Sequence, residues 1–148
     1  MDARATTDAA EGVLSDLKRA GLRLTPQRMA IVRALAGDSS HPTAQELFER
    51  LRPAFPTMSF ATVYNTLDTL ATLGHVGSLR LGSAVRFDPN TTPHHHAVCD
   101  ACGVVVDLPG AAASPTEKRA IEHASGFEIH AEERTYRGRC RRCAAAPT

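Results

Sequence analysis

Four cysteines stand in two short pairs, Cys99-Asp-Ala-Cys102 and Cys140-Arg-Arg-Cys143. Each Cys-x-x-Cys turn brings two thiols to one knuckle, and two knuckles can surround a single ion tetrahedrally, the arrangement of a closed structural zinc site. Two disulfides or a redox dithiol are the competing chemistries. A start without the basic and apolar regions of an export signal speaks against the first, and a redox motif needs no second copy.

His94, His95 and His96 run just ahead of the first pair. On a strand, His94 and His96 leave the same face and His95 the opposite one. Asp107 follows the first knuckle on the apolar run Val104 to Leu108, which also reads as a strand, so two imidazoles and a carboxylate come together. Such nitrogen and oxygen donors suit Fe(II), Mn(II) or Zn(II) without the thiolate preference for zinc. An enzyme is the other reading of these groups, as a metallohydrolase or a thiol exchanger. A hydrolase would need an open coordination position and a substrate pocket, and the first half of the chain is better suited to binding DNA. The expectation is therefore a protein that is not an enzyme. A metal-storage or purely structural zinc protein is the remaining class, and absence of sequence-specific DNA binding would favour it.

The chain has 148 residues, 43% of them hydrophobic, with no Trp and a net charge of +1. This length accommodates two small domains with mostly aliphatic cores. Net charge decides nothing about nucleic acid, because DNA binding needs a local basic face. No apolar run approaches the length of a membrane span, and the acidic, alanine-rich start implies a cytoplasmic protein.

The first half reads as interrupted helices. Val13, Leu14 and Leu17 recur at helical spacing before Gly21. Thr25-Pro26 is an N-cap followed by proline at the first helical position, and the helix it opens turns Ile31, Val32 and Leu35 inward and leaves Arg28 and Arg33 outward. Thr43 and Glu46 have capping-box spacing and open a third helix, closed by Pro53 and Pro56. Ser59 opens a fourth, with Val63, Leu67 and Leu70 as an apolar stripe and Thr62, Asn65, Thr66 and Thr69 on the other side. Short hydroxyl and amide side chains suit a helix laid in a DNA groove, where Tyr64 can also reach a phosphate. Two runs flanking Gly82-Ser83 read as a hairpin, which completes a winged helix-turn-helix pattern.

Leu24-Thr-Pro-Gln-Arg28, His41-Pro-Thr-Ala44, Ala61-Thr-Val-Tyr-Asn65, Arg86-Phe-Asp88 and His94-x-His-x-x-Cys-x-x-Cys-Gly103 resemble, in order, motifs of the ferric uptake regulator family of metal-dependent repressors. The resemblance runs from about Val13 to Cys143. It implies an α+β protein: an N-terminal winged helix-turn-helix domain and a small C-terminal α/β dimerisation domain with structural zinc at Cys99, Cys102, Cys140 and Cys143. The implied boundaries are a flexible arm at 1–12, a DNA-binding domain at 13–88, a hinge at 89–93 and a dimerisation and metal-binding domain at 94–148.

The resemblance adds His41 and Asp88 to His94, His96 and Asp107 as ligands of a regulatory Fe(II) or Mn(II). It implies a homodimer on a double-stranded DNA operator, with Arg23, Gln27, Arg28, Ser59, Thr62, Tyr64 and Asn65 facing the DNA and the ion acting as co-repressor. Asp at 107, where iron-uptake regulators commonly carry Glu, and Asn65 are similar to the peroxide-sensing members. By that resemblance His41 and His94 would be oxidised to 2-oxo-histidine, relieving repression of oxidative-defence genes. The alternative is an iron or manganese uptake regulator that does not sense peroxide. Pro93 stands where many members carry a histidine of a further metal site, so His123, His130 and Glu132 are expected to be surface or structural residues, with an accessory site at His95 left open.

Overall fold

The computed structural model describes residues 3–110 and 113–145. They divide into two units, Met1–Thr91 and Thr92–Thr148.

The first unit runs α1 (Ala3–Arg19), α2 (Pro26–Leu35), α3 (Ala44–Leu51), α4 (Phe60–Thr72), β1 (Gly77–Leu81) and β2 (Ala84–Asp88). Three helix starts follow from local chemistry. The hydroxyls of Thr25, Thr43 and Ser59 accept from the backbone N–H groups of Arg28, Glu46 and Thr62. At Thr43 the Glu46 carboxylate also reaches back to the Thr43 N–H at 2.9 Å, completing the capping box. β1 and β2 pair antiparallel with Leu81 opposite Ala84. Gly82, at φ 62°, supplies the positive backbone angle that so tight a loop requires.

The core of this unit gathers Leu14, Leu17, Ile31, Val32, Leu35, Leu47, Val63, Leu67, Leu70 and Phe87. Full burial of each such side chain contributes about 1.5–3 kcal/mol.

Two expectations are corrected here. Residues 3–12 are not an arm. They form the first turns of α1, and Ala10, 2% exposed, packs into the core, while Met1 and Asp2 lie outside the described residues. Thr66 does not share the outward face of α4. It is 1% exposed, and its hydroxyl donates to the Thr62 carbonyl oxygen at 2.6 Å, which satisfies it inside the core.

The second unit contains β3 (His94–Cys99), β4 (Val105–Pro109), α5 (Pro115–Ser125), β5 (Thr135–Gly138) and α6 (Arg141–Ala145). β3 is central, antiparallel to β4 and parallel to β5. α5 starts at an N-cap Ser114 with Pro115 behind it and ends at Gly126 in the left-handed region. It has no buried residue, and Ile121, Phe127, Val106 and Tyr136 of this unit are exposed. Among the described residues no helix is long and apolar enough to cross a membrane.

Candidate metal centres

Parallel pairing of β3 with β5 explains why the two knuckles meet. Cys99 ends β3 opposite Gly138 at the end of β5, so the turns that follow both strands lie at the same edge of the sheet. The Asp100 N–H donates to the Gly138 carbonyl oxygen at 2.8 Å and joins the two turns. The four sulfurs lie within 4.8 Å of one another. All four cysteines are free thiols, and Cys102 Sγ and Cys140 Sγ are 3.8 Å apart, well beyond the roughly 2.05 Å of a disulfide.

Backbone donors prepare this cage for a cation. The N–H groups of Cys140 and then Cys102 hold the Cys99 thiol down at about 6, and the Val104 N–H lowers Cys102. Cys143 is pushed up to about 12, chiefly by its side-chain hydrogen bond to Cys140 and then to Cys102. Four sulfurs this close cannot all ionise without a cation among them, and a dication removes that conflict. Four thiolates fit zinc in a closed tetrahedral site.

A second group on the same unit is built from imidazole and carboxylate. His96 lies opposite Asp107 in the β3–β4 register, and His94 is two residues away on the same face. The Nε2 atoms of His94 and His96 are 2.9 Å apart and lie 3.3 and 3.5 Å from Asp107 Oδ1. Each Nδ1 faces an acceptor: the Thr92 carbonyl oxygen at 2.6 Å for His94 and Glu133 Oε1 at 3.0 Å for His96. With their protons on Nδ1, the nitrogen whose acceptor is nearer in each ring, neutral rings turn two Nε2 lone pairs toward each other beside a carboxylate. That is a repulsive arrangement, and a bound cation resolves it. Gly110 lies close to β3: a Cβ there would stand 3.2 Å from His94 Cα and 3.4 Å from His95 Cε1.

His41 and Asp88 meet on the first unit, with His41 Nε2 3.4 Å from Asp88 Oδ2 and both side chains buried. His41 sits at φ 52°, a conformation costing about 1–3 kcal/mol outside glycine. The loop around it is held at several points. Asp38 accepts from the Ser40 N–H at 2.8 Å and from Arg50 Nη1 at 2.6 Å, and Arg50 also donates to the Ser40 hydroxyl. On the other side, Arg86 Nη1 donates to the His41 carbonyl oxygen and the Phe87 N–H donates to that of Pro42. Asp88 Oδ1 accepts from the Asn90 N–H at 2.8 Å. Imidazole and carboxylate, with no sulfur, suit a ferrous or manganous ion.

His95 points the other way. Its Nδ1 accepts from the Arg134 N–H at 3.3 Å, and its Nε2 is 3.9 Å from Glu132. That carboxylate is engaged by a guanidinium: Arg134 is 3.0 Å from Glu132, and 3.0 Å from Glu117 as well. His123 and His130 are exposed.

None of Arg23, Gln27, Arg28, Ser59, Thr62, Tyr64 and Asn65 is buried. Ser59 and Thr62 share a 3.0 Å hydroxyl contact at the start of α4, and Arg28 Nη1 donates to the Arg23 carbonyl oxygen at 2.7 Å. Arg33 pairs with Glu11 of α1 at 2.9 Å. Glu133 had no signal in the sequence. It lies 37 residues from His96 and arrives through the β3–β5 pairing.

A winged helix-turn-helix unit, followed by an α/β unit with a thiolate cage and an imidazole–carboxylate cluster, has the layout of a small metal-responsive DNA-binding regulator. The ferric uptake regulator family model matches residues 19–137, and the chain belongs to that family. It is 40% identical over 134 residues to the peroxide-responsive repressor PerR of Staphylococcus epidermidis, covering 90% of this chain and 89% of that one. Its identity to PerR of Staphylococcus aureus is 39% over the same length. Among solved structures, PerR of Streptococcus pyogenes, described for peroxide sensing and gene regulation, is 29% identical, with TM-score 0.53 and coverage of 91% and 92%. The Helicobacter pylori ferric uptake regulator shares the fold, with TM-score 0.74 at 21% identity, covering 97% of this chain and 96% of that one.

Proposed function

We propose that this chain is a metal-dependent, peroxide-responsive transcriptional repressor acting as a homodimer on operator DNA. The observation that carries the reading is 40% identity to a named peroxide-responsive repressor across nine-tenths of the chain. The sulfur-free donors His94, His96 and Asp107 and the exposed polar face of α4 support it. It is a regulator rather than an enzyme, and it works in the cytoplasm, where its operator lies.

Cys99, Cys102, Cys140 and Cys143 hold structural zinc. His41, Asp88, His94, His96 and Asp107 together ligate one regulatory ion, Fe(II) or Mn(II). Donors drawn from both units make that ion a co-repressor, because binding that requires both sets shifts the population toward one arrangement of the recognition helices. An α5 that buries nothing, with the exposed Ile121, Phe127, Val106 and Tyr136 of the same unit, gives a surface for a second copy.

When bound, Fe(II) delivers the oxidising power of hydrogen peroxide to its ligands, and Mn(II) does not. His41 or His94 gains one oxygen atom as 2-oxo-histidine, and the other peroxide oxygen leaves as water. An oxidised ring is a poorer donor, so the ligand set weakens and the operator is released. Arg23, Gln27 and Arg28 contact the DNA backbone, while Ser59, Thr62, Tyr64 and Asn65 present α4 to the major groove.

The test is operator binding by fluorescence anisotropy at fixed salt, with zinc-retaining protein loaded with Fe(II) or Mn(II), before and after dilute peroxide. Release from the Fe(II) form alone, with the mass of one oxygen appearing on peptides containing His41 or His94, is expected. Metal-dependent binding indifferent to peroxide would make the protein an iron or manganese uptake regulator. Binding unaffected by stripping the regulatory ion would defeat the co-repressor reading.

A further inference from the structure

Glu133 lies outside the ligand set, yet its carboxylate touches a ligand. It stands two residues before β5, whose first residue, Thr135, is the parallel partner of His96. The His96 N–H donates to the Arg134 carbonyl oxygen at 2.9 Å, so the backbone itself fixes residues 133 and 134 beside the His96 ring. From there Glu133 Oε1 reaches His96 Nδ1 at 3.0 Å. The His96 side chain is 5% exposed, whereas the Glu133 side chain is half exposed. The carboxylate thus keeps contact with water and meets the buried ring only at its edge.

We infer that Glu133 is a positioning residue for the regulatory metal, its carboxylate holding the proton of His96 on Nδ1 and aiming Nε2 at the site shared with His94 and Asp107. This rests on the reading of His96 as a ligand. A neutral imidazole has one proton and one lone pair, and an acceptor fixed at Nδ1 decides which nitrogen keeps which. His94 receives the same instruction from a neutral carbonyl, that of Thr92. His96 receives it from a charged group, which also makes Nε2 a stronger donor. The two rings are therefore held alike, one by a neutral carbonyl and the other by a carboxylate.

The test uses full-length, zinc-retaining protein and three variants, Glu133→Ala, Glu133→Leu and Glu133→Gln. Mn(II) affinity is measured by calorimetry, zinc content by elemental analysis, and the His96 tautomer by the nitrogen chemical shifts of the ring without regulatory metal. Removing the acceptor is expected to weaken Mn(II) binding about 10- to 100-fold and to erase the Nδ1–H signature, with zinc unchanged. Glu133→Gln keeps an acceptor oxygen and is expected to retain that signature and stay within about threefold of the parent. Should the alanine variant lose zinc, the leucine variant, which keeps bulk without an acceptor, carries the same expectation. Mn(II) affinity within about twofold of the parent in a zinc-retaining Ala or Leu variant, or an unchanged tautomer, overturns the assignment of Glu133 alone. A parent that takes up no Mn(II) beyond its zinc overturns the regulatory site and this inference together.

Discussion

Arg86 on β2 holds the backbone of His41: its Nη1 donates to the His41 carbonyl oxygen at 3.0 Å and lies 3.3 Å from the Glu46 carboxylate. A wing strand thereby supports the left-handed residue that carries a proposed ligand. Arg86→Ala removes a charged donor from a part-buried carbonyl, and the cost of such a loss is about 1.5–3 kcal/mol. Urea unfolding should show that decrease while zinc content stays at the parental level.

The capping box at Thr43 follows His41 by two residues and starts α3. Thr43→Ala leaves the Glu46 N–H without its side-chain acceptor and should destabilise the protein by about 1 kcal/mol. Thermal unfolding measures this. Thr43→Ser, which keeps the oxygen, should recover most of the loss.

Asp38 gives a pH dependence of defined sign. Burial alone would raise its carboxyl, but the Ser40 hydroxyl, the Ser40 N–H and Arg50 outweigh burial and hold it below the ordinary 3.8. The folded state therefore binds this proton less readily than the unfolded chain. Its stabilisation is complete above the unfolded value and disappears as pH falls through the lower folded one. Asp38→Asn should be less stable than the parent at neutral pH, by on the order of 1 kcal/mol, with the gap closing under acid. Denaturant midpoints across the acid range would show the two curves converging, and parallel curves would contradict the assignment.

Stripping zinc should dismantle the second unit before the first. The four sulfurs tie the turns after β3 and β5 together, whereas the first unit has its own apolar core. A strong chelator, or Cys102→Ser, should abolish dimerisation in light scattering. Much of the helical circular dichroism should survive, since α1 to α4 contain no zinc ligand.

On DNA, two substitutions should separate positioning from reading. Arg28→Ala should reduce the slope of log affinity against log salt by about 1 and leave sequence preference intact. Asn65→Ala should cost about 1–3 kcal/mol of discrimination against altered operators with the salt slope unchanged. Anisotropy titrations at several salt concentrations distinguish the two.

What the sequence disclosed was mostly local. Thr25, Thr43 and Ser59 announce their helices because a cap is settled within three residues. The first turns of α1 escaped because alanine and threonine give no apolar period. The clue was helix propensity together with Ala10, which packs into the core. Thr66 escaped for the converse reason: its hydroxyl is satisfied by its own helix, so a polar letter occupies a core position. Glu133 and the Asp38–Arg50 pair depend on chain segments 37 and 12 residues apart, and no pattern within one element reveals such partners. Their visibility begins with strand pairing and loop closure.

The six residues of β3 begin in imidazole and end in thiolate. Because the cage closes at Cys99 while His94 and His96 lie farther back on the same strand, a chain that has taken up zinc already has the spacing of those two rings fixed, and fixed too is the β5 pairing that brings Glu133 alongside. The consequence is an order of assembly. The soft-donor ion is expected to be taken up first, so that the ion of the proposed regulatory site meets a ruler already cut to length. Such a protein can report on a fluctuating metal pool without being rebuilt at every fluctuation.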